Sequence, residues 1–189
     1  MAVFGGSFNP PHLGHLIIAE HVRVHCQIDR VVWIPGYIPP HKKDRELASA
    51  THRLAMVELV VADNPAFVVS DMEIARRGVS YTVDTLEALA ADEPEAELFL
   101  IIGGDSFAAF DAWHKPERIK ELATLIVYDR KDNDYQRPIA GEGRVLFVDG
   151  PVIEISSTMV RSAIQSGRSV RYLVPNTVKA YMEKNGLYA

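Results

Sequence analysis

Two histidines stand three residues apart near the start of the chain, within the stretch GGSFNPPHLGH at residues 5–15. A short apolar run precedes this stretch, and the apolar residues 16–19 after it predict the start of a helix. Paired glycines let the backbone turn sharply and approach a ligand closely, because they lack a Cβ atom. The unpaired N–H groups and the dipole of a helix start attract anions. With His12 and His15 on one face of that helix, the stretch predicts a phosphate-binding turn.

The histidine pair has two other interpretations, a structural role and a zinc site. No cysteine or carboxylate lies nearby in the sequence with the spacing of zinc ligands. An imidazole has an ordinary pKa of about 6.5, and a neighbouring polyphosphate favours its charged form. We therefore interpret both histidines as donors to phosphate.

A second cluster suited to phosphate lies at residues 155–161, ISSTMVR. Serine and threonine are good helix N-caps and Gly167 is a good stop, so we predict a helix over 156–166. On that helix Ser157 and Thr158 share a face with Arg161, whose long side chain leans back toward the helix start. The planar guanidinium suits phosphate. Taken alone, the cluster also fits a capped surface helix with an unrelated arginine.

Strand-like and helix-like segments alternate along the whole chain. We predict polar connections at 37–48, 70–80 and 129–143, the second with a turn at 76–78. The predicted strands are 1–4, 31–34, 67–69, 98–102, 124–128 and 144–148. The predicted helices are 13–26, 51–62, 82–91, 107–112, 116–122, 156–166 and 176–185. This order predicts an α/β fold, a Rossmann-like doubly wound parallel sheet with a short helical C-terminal part, in a single domain over 1–189.

Glycines also follow the most apolar predicted strand, 98–102, where the chain reads Gly103-Gly104-Asp105-Ser106. In doubly wound sheets ligands bind outside the carboxyl ends of the strands. We therefore expect Gly6 and Gly104 at the same edge of the sheet.

Composition limits the classes of function that remain. The chain has 189 residues and 48% hydrophobic composition, which is enough for a full core. Its formal net charge of −5 argues against a nucleic-acid surface, which would be basic. No apolar run approaches the roughly 18 residues of a membrane span. Cys26 is the only cysteine and no export signal opens the sequence, so we expect a cytoplasmic protein without membrane or nucleic-acid partners.

The two phosphate clusters are similar to the paired motifs of one enzyme superfamily. The first matches the nucleotidyltransferase signature GG(T/S)FxPxHxGH, and the second matches ISSTxxR, about 140 residues later. The chain resembles this superfamily and, within it, the bacterial nicotinate mononucleotide adenylyltransferases. The resemblance covers nearly the whole length, including the segments 39–42, 80–86 and 103–106, and only 129–143 lacks a recognisable match.

The resemblance implies attack by the phosphate of nicotinate mononucleotide on the α-phosphorus of ATP, with release of pyrophosphate. It implies catalytic roles for His12, His15 and Arg161. It implies contacts to ATP from the two glycine turns and the second motif, namely Gly5, Gly6, Ser7, Phe8, His12, His15, Gly103, Asp105, Ser156, Ser157, Thr158 and Arg161. It implies substrate contacts from Lys42, Tyr81, Thr82, Thr85, Trp113 and His114. Mg²⁺ would arrive bound to ATP rather than in a protein cage.

The sequence says less about the acceptor than about ATP. Trp113 is expected to stack on a pyridine ring, and backbone N–H groups near Thr82 and His114 are expected to bind its carboxylate. Nicotinamide mononucleotide, phosphopantetheine or glycerol phosphate remain alternative acceptors on the same fold, and a non-catalytic nucleotide-binding module is an alternative of another class. Cys26 follows the first helix at its far end, so we expect no covalent intermediate. The sequence leaves the oligomeric state open, a homo-oligomer included, and does not decide whether 37–48 closes over substrates.

Overall fold

The computed structural model describes residues 1–40, 47–129 and 144–189. Its strands form one parallel sheet in the order β3-β2-β1-β4-β5-β6. The strands are β1 (Ala2–Gly6), β2 (Val31–Pro35), β3 (Phe67–Val69), β4 (Phe99–Gly103), β5 (Thr124–Asp129) and β6 (Val145–Asp149). The chain adds strands in one direction from β1 to β3 and then in the other direction from β4 to β6. This is the predicted Rossmann-like, doubly wound α/β fold.

Helices flank the sheet and bury both of its faces. They are α1 (Leu13–His25), α2 (Ala50–Val61), α3 (Met72–Arg76), α4 (Thr82–Asp92), α5 (Gly104–Ala108), α6 (Pro116–Leu122), α7 (Ser157–Gln165) and α8 (Asn176–Lys184), with a 3₁₀ turn at Phe110–Ala112. Because side chains alternate along a strand, β1 places Phe4 in one apolar cluster and Val3 in the other. The first cluster packs against α1, α2, α7 and α8, and the second against α4 and α6.

Three local predictions were wrong in detail. The first strand reaches Gly6, so the glycine pair ends the strand and the turn begins at Ser7. The segment 70–80 contains the short helix α3, which has too few residues to show a helical period in the sequence. The helix predicted over 107–112 is divided in the structure: α5 begins at Gly104, directly after β4, and ends at Ala108, and the 3₁₀ turn Phe110–Ala112 covers the second half of the predicted range.

The rest of the predicted pattern lies close to the observed elements. The turn at 76–78 is present, with positive φ at Arg77 and Gly78. In the described part of the chain, no helix combines the length and the apolar character that crossing a membrane requires. Lys42 and nearly all of the predicted loop 129–143 lie outside the described residues.

A buried arginine joins the segments that surround the carboxyl ends of β1 and β2. Arg53 of α2 is 1% exposed, and its guanidinium donates four hydrogen bonds to backbone carbonyls. The acceptors are Ala48 (3.0 Å), Ser7 (2.9 Å), Gly36 (2.5 Å) and Tyr37 (3.0 Å). Burial lowers the pKa of Arg53, and the nearby Glu73 opposes that change. The side chain of Arg53 therefore joins the opening turn to the end of β2 and to the segment before α2.

Replacing Arg53 should lower the free energy of unfolding much more than replacing an exposed arginine. Arg53→Met keeps the length of the side chain but leaves four carbonyls without their charged donor, so we expect a loss of about 3 kcal/mol in the free energy of unfolding. Urea denaturation measures the loss, and Arg168→Met at an exposed position is the matched control. Equal stability of the two variants would contradict the role given to Arg53.

Candidate active site

The site lies where the order of the sheet reverses, between β1 and β4. These neighbouring parallel strands end at Gly6 and Gly103, on the same edge of the sheet. Within the described residues, a Cβ atom built at Gly5 or at Gly103 would meet nothing within 4 Å. Asp105 stands in the first turn of α5, immediately beyond. The two predicted glycine turns therefore border one open crevice, the usual ligand position in this fold.

The opening turn rests on aromatic rings. Phe8 adopts the left-handed backbone conformation, with φ at 44°, and its side chain is 1% exposed. Its ring lies 5.3 Å from that of Trp33 and 5.1 Å from that of His15, measured between centroids. A Cβ atom at Gly6 would lie 3.2 Å from the Phe8 ring, which explains the glycine there. The side chain of Phe8 thus supports the turn from the core, and an ATP contact at this position would come from its backbone.

The rings of His12 and His15 lie in contact at the start of α1, with their planes tilted by 34°. His12 is the N-cap residue, and its backbone N–H donates to Nδ1 of His15 at 3.1 Å. Because Nδ1 of His15 accepts, the neutral ring carries its proton on Nε2. The two ring centroids are 3.7 Å apart. The predicted common face of the two imidazoles is therefore present.

The imidazole of His12 is buried against the helix start. It is 6% exposed, and its Nδ1 has no hydrogen-bond partner among the described residues. A Cβ atom at Gly14 would lie 3.0 Å from that nitrogen, so glycine allows the ring to lie close to the helix. Burial lowers the pKa of His12 to about 4, which makes the ring neutral at pH 7.

The second motif packs directly against the first. Ser156 caps α7 by accepting from the Met159 N–H group at 3.1 Å. Ser157 donates from Oγ to the carbonyl of Pro10 at 2.8 Å. Arg161 donates from Nη1 to the carbonyl of Asn9 at 2.9 Å and from Nη2 to Oγ1 of Thr158 at 3.3 Å. Two motifs about 140 residues apart in the sequence therefore form one structure.

A separate cavity of about 360 Å³ lies beside this crevice, among the segments that follow β2, α3 and the 3₁₀ turn. The rings of Tyr81 and His114 face each other across 4.4 Å between centroids, and Trp113 packs on Phe110 at 5.4 Å. The residues that line the cavity are Pro40, Ser80, Tyr81, Thr82, Ala112, Trp113, His114 and Ile119. Four of the six predicted substrate residues thus line one cavity.

Backbone contacts connect this cavity to the crevice. The N–H group of Gly36 donates to the carbonyl of Gly6 at 2.9 Å, which joins the end of β2 to the end of β1. The next residue, Tyr37, donates its N–H to Oγ of Ser80 at 2.8 Å. The wall of the cavity is therefore held to the end of β1, from which the opening turn starts.

The remaining two predicted substrate residues are not among the lining residues of the cavity. Thr85 is 1% exposed, and its hydroxyl donates to Oε1 of Glu73 at 2.6 Å and accepts from Arg76 at 3.0 Å. It lies beneath the cavity wall and ties α4 to α3, so a direct substrate contact from Thr85 does not fit this structure. Lys42 lies outside the described residues, two positions after Pro40 of the lining.

Two residues that shape the site were not predicted. Asn9 is 2% exposed and accepts hydrogen bonds at both its side-chain and backbone oxygens. In the sequence, Arg53 is a polar residue within a largely apolar helical segment. Only the folded chain brings its four acceptors together. An asparagine before proline in a glycine-rich turn is a sequence signal for Asn9, but not for its partners.

Comparison with known proteins identifies the family. Residues 3–163 match the model of the cytidylyltransferase-like family. The chain belongs to this family. A curated family member from Salinibacter ruber, named "Probable nicotinate-nucleotide adenylyltransferase", is 46% identical over 100% of this chain and 97% of its own length. One of the same name from Enterococcus faecalis is 38% identical over 100% of this chain and 84% of its own. The resemblance predicted from the two motifs is thus confirmed.

A solved structure gives the same fold. The nicotinic acid mononucleotide adenylyltransferase of Plasmodium falciparum, complexed with NaAD, has a TM-score of 0.83 and covers 99% of this chain and 96% of its own. At 17% identity this solved structure supports the architecture and not the roles of individual residues.

The buried imidazole of His12 should make stability depend on pH. The imidazole of His12 becomes protonated near pH 4 in the folded state and near pH 6.5 in the unfolded state. Between these values the unfolded state binds more protons, so the free energy of unfolding falls as the pH falls. Relative to His12→Gln, which lacks this titration, the parent should lose about 3 kcal/mol between pH 7 and pH 4. If the difference in the free energy of unfolding between the parent and His12→Gln did not change with pH, the lowered pKa of His12 would be contradicted.

Proposed function

We propose that this chain transfers the adenylyl group of ATP to nicotinate mononucleotide, giving nicotinate adenine dinucleotide and pyrophosphate. The observation that supports this most is the convergence of both phosphate motifs on one crevice, with an aromatic-lined cavity connected to it. The names of the relatives support the same substrates. The chain acts as a single nucleotidyltransferase domain over 1–189, in the cytoplasm.

In this reaction an oxygen of the acceptor phosphate forms a bond to the α-phosphorus of ATP. The bond from that phosphorus to the bridging oxygen breaks, and pyrophosphate leaves with its electron pair. Such transfer needs alignment and stabilisation of charge more than a protein nucleophile. His12 and His15 contact the phosphates at the start of α1. The backbone of Gly5 to Phe8 lets these phosphates come close to the end of β1.

Arg161 and the start of α7 bind the departing β- and γ-phosphates. Ser157 and Thr158 add backbone N–H donors, and Thr158 also a hydroxyl donor, at the same helix end, where the dipole favours an anion. In this structure Ser157 and Arg161 donate to carbonyls of the opening turn, at Pro10 and Asn9. Arg161 has five N–H donors, so it can hold the turn and a phosphate together.

Mg²⁺ enters with ATP and neutralises part of the charge on its phosphates. In the described ranges, no group of three or more His, Cys, Asp or Glu side chains could hold a metal ion. The donors at the crevice are instead N–H groups, imidazoles and a guanidinium, which suit the phosphate oxygens. The triphosphate itself supplies the ligands to the ion.

The cavity takes the pyridine end of the acceptor. Trp113 provides an aromatic face, and Tyr81 is the N-cap of α4 without a side-chain cap, so the first N–H groups of that helix can donate to a ligand. A carboxylate only accepts hydrogen bonds, whereas a carboxamide also presents an NH₂ donor. A cavity lined by backbone donors at Thr82 and His114 therefore prefers the acid to the amide.

Pyrophosphate release from ATP and Mg²⁺ with a panel of acceptors tests this function. We expect release with nicotinate mononucleotide at least about tenfold faster, as kcat/KM, than with nicotinamide mononucleotide. Phosphopantetheine, glycerol phosphate and the reaction without acceptor provide the controls. Release with none of the mononucleotides would contradict the proposal, and faster release with phosphopantetheine would assign another acceptor.

A further inference from the structure

Asn9 of the opening turn is the meeting point of three distant segments. Its Oδ1 accepts from the Ala48 N–H at 3.0 Å and from the Tyr188 hydroxyl at 2.7 Å. Its backbone carbonyl accepts from Nη1 of Arg161 at 2.9 Å. The residue is 2% exposed, so these bonds are made where water does not compete. Its amide plane and its carbonyl direction are therefore set by partners that are far away in the sequence.

Tyr188 reaches the turn from the segment that follows α8. Its backbone is left-handed, with φ at 68°, and its ring packs against the apolar cluster shared by α1, α2, α7 and α8. Arg53 and Arg161 are close enough to act on its hydroxyl electrostatically. Burial nevertheless dominates and raises the pKa of Tyr188, so the phenol stays protonated and donates to Asn9.

We propose that Tyr188 is a positioning residue for the adenylyl transfer, acting through Asn9 on the guanidinium of Arg161. The hydroxyl fixes the Asn9 amide, the Asn9 carbonyl holds Nη1 of Arg161, and the rest of that guanidinium is then aimed at the departing phosphates. This role for Tyr188 rests on the proposed function. It adds to the site a residue from a part of the chain, 164–189, that lies beyond the family match.

Tyr188→Phe tests the hydroxyl alone, because the ring and its packing remain. One lost hydrogen bond of about 1 to 1.5 kcal/mol corresponds to roughly a tenfold fall in kcat/KM for ATP. The KM for nicotinate mononucleotide should not change, since the cavity for the pyridine end does not touch Tyr188.

Tyr172→Phe is the matched control. Tyr172 also has a left-handed backbone, with φ at 66°, and its side chain is 75% exposed. We expect the parent value of kcat/KM for this variant. Circular dichroism at the assay temperature checks that both variants are folded.

A double-mutant cycle separates positioning from general support of the fold. In an Arg161→Ala background the side chain that Tyr188 positions is absent, so adding Tyr188→Phe should change kcat/KM by less than about twofold. The same tenfold loss in both backgrounds would overturn the proposal, as would parent activity of Tyr188→Phe. A parent protein without pyrophosphate release would instead overturn the proposed function.

Discussion

The site depends on one buried cation to which no carboxylate of the described residues is bonded. The guanidinium of Arg53 binds four backbone carbonyls, and these belong to the opening turn, the end of β2 and the segment before α2. A charge taken out of water is costly unless all of its donors are satisfied. Four of the five N–H groups of Arg53 have carbonyl acceptors, and one of these acceptors, the Ser7 carbonyl, belongs to the opening turn, so a movement of the turn would break that bond. Arg53 thus holds the opening turn to the end of β2 and to the segment before α2.

The same turn is held from the other side by the second motif. Ser157 and Arg161 bond to the carbonyls of Pro10 and Asn9, next to the histidine pair. The two helix starts, of α1 and α7, therefore meet around one position. A ligand with several phosphates can contact both, whereas a single phosphate contacts one. Under the proposed function, a triphosphate donor contacts both helix starts and the pyridine end of the acceptor lies in the separate cavity.

Much of this arrangement could be predicted from the sequence because it follows from local patterns. The order of strands and helices, the helix start at His12 and the cap at Ser156 each depend on a few neighbouring residues. The contacts that join these parts could not be predicted in the same way. The residues near Arg53 in the sequence give no sign of its acceptors, and those near Asn9 give no sign that it contacts Ala48, Arg161 and Tyr188. Thr85 illustrates the opposite error, since it follows Tyr81 and Thr82 closely in a segment that matches the family. The hydroxyl of Thr85 donates to Glu73 on the buried side of α4, and a family match along the sequence does not show which side of a helix a residue occupies.

The central claim is that two preformed helix starts align ATP for direct attack by the acceptor phosphate. The stereochemical course at the α-phosphorus tests this claim most directly, with ATP bearing one sulfur at a defined position on that phosphorus. A single in-line displacement predicts inversion of configuration in the dinucleotide product. Retention would require two displacements through an adenylylated residue of the protein, and it would contradict direct attack by the acceptor phosphate.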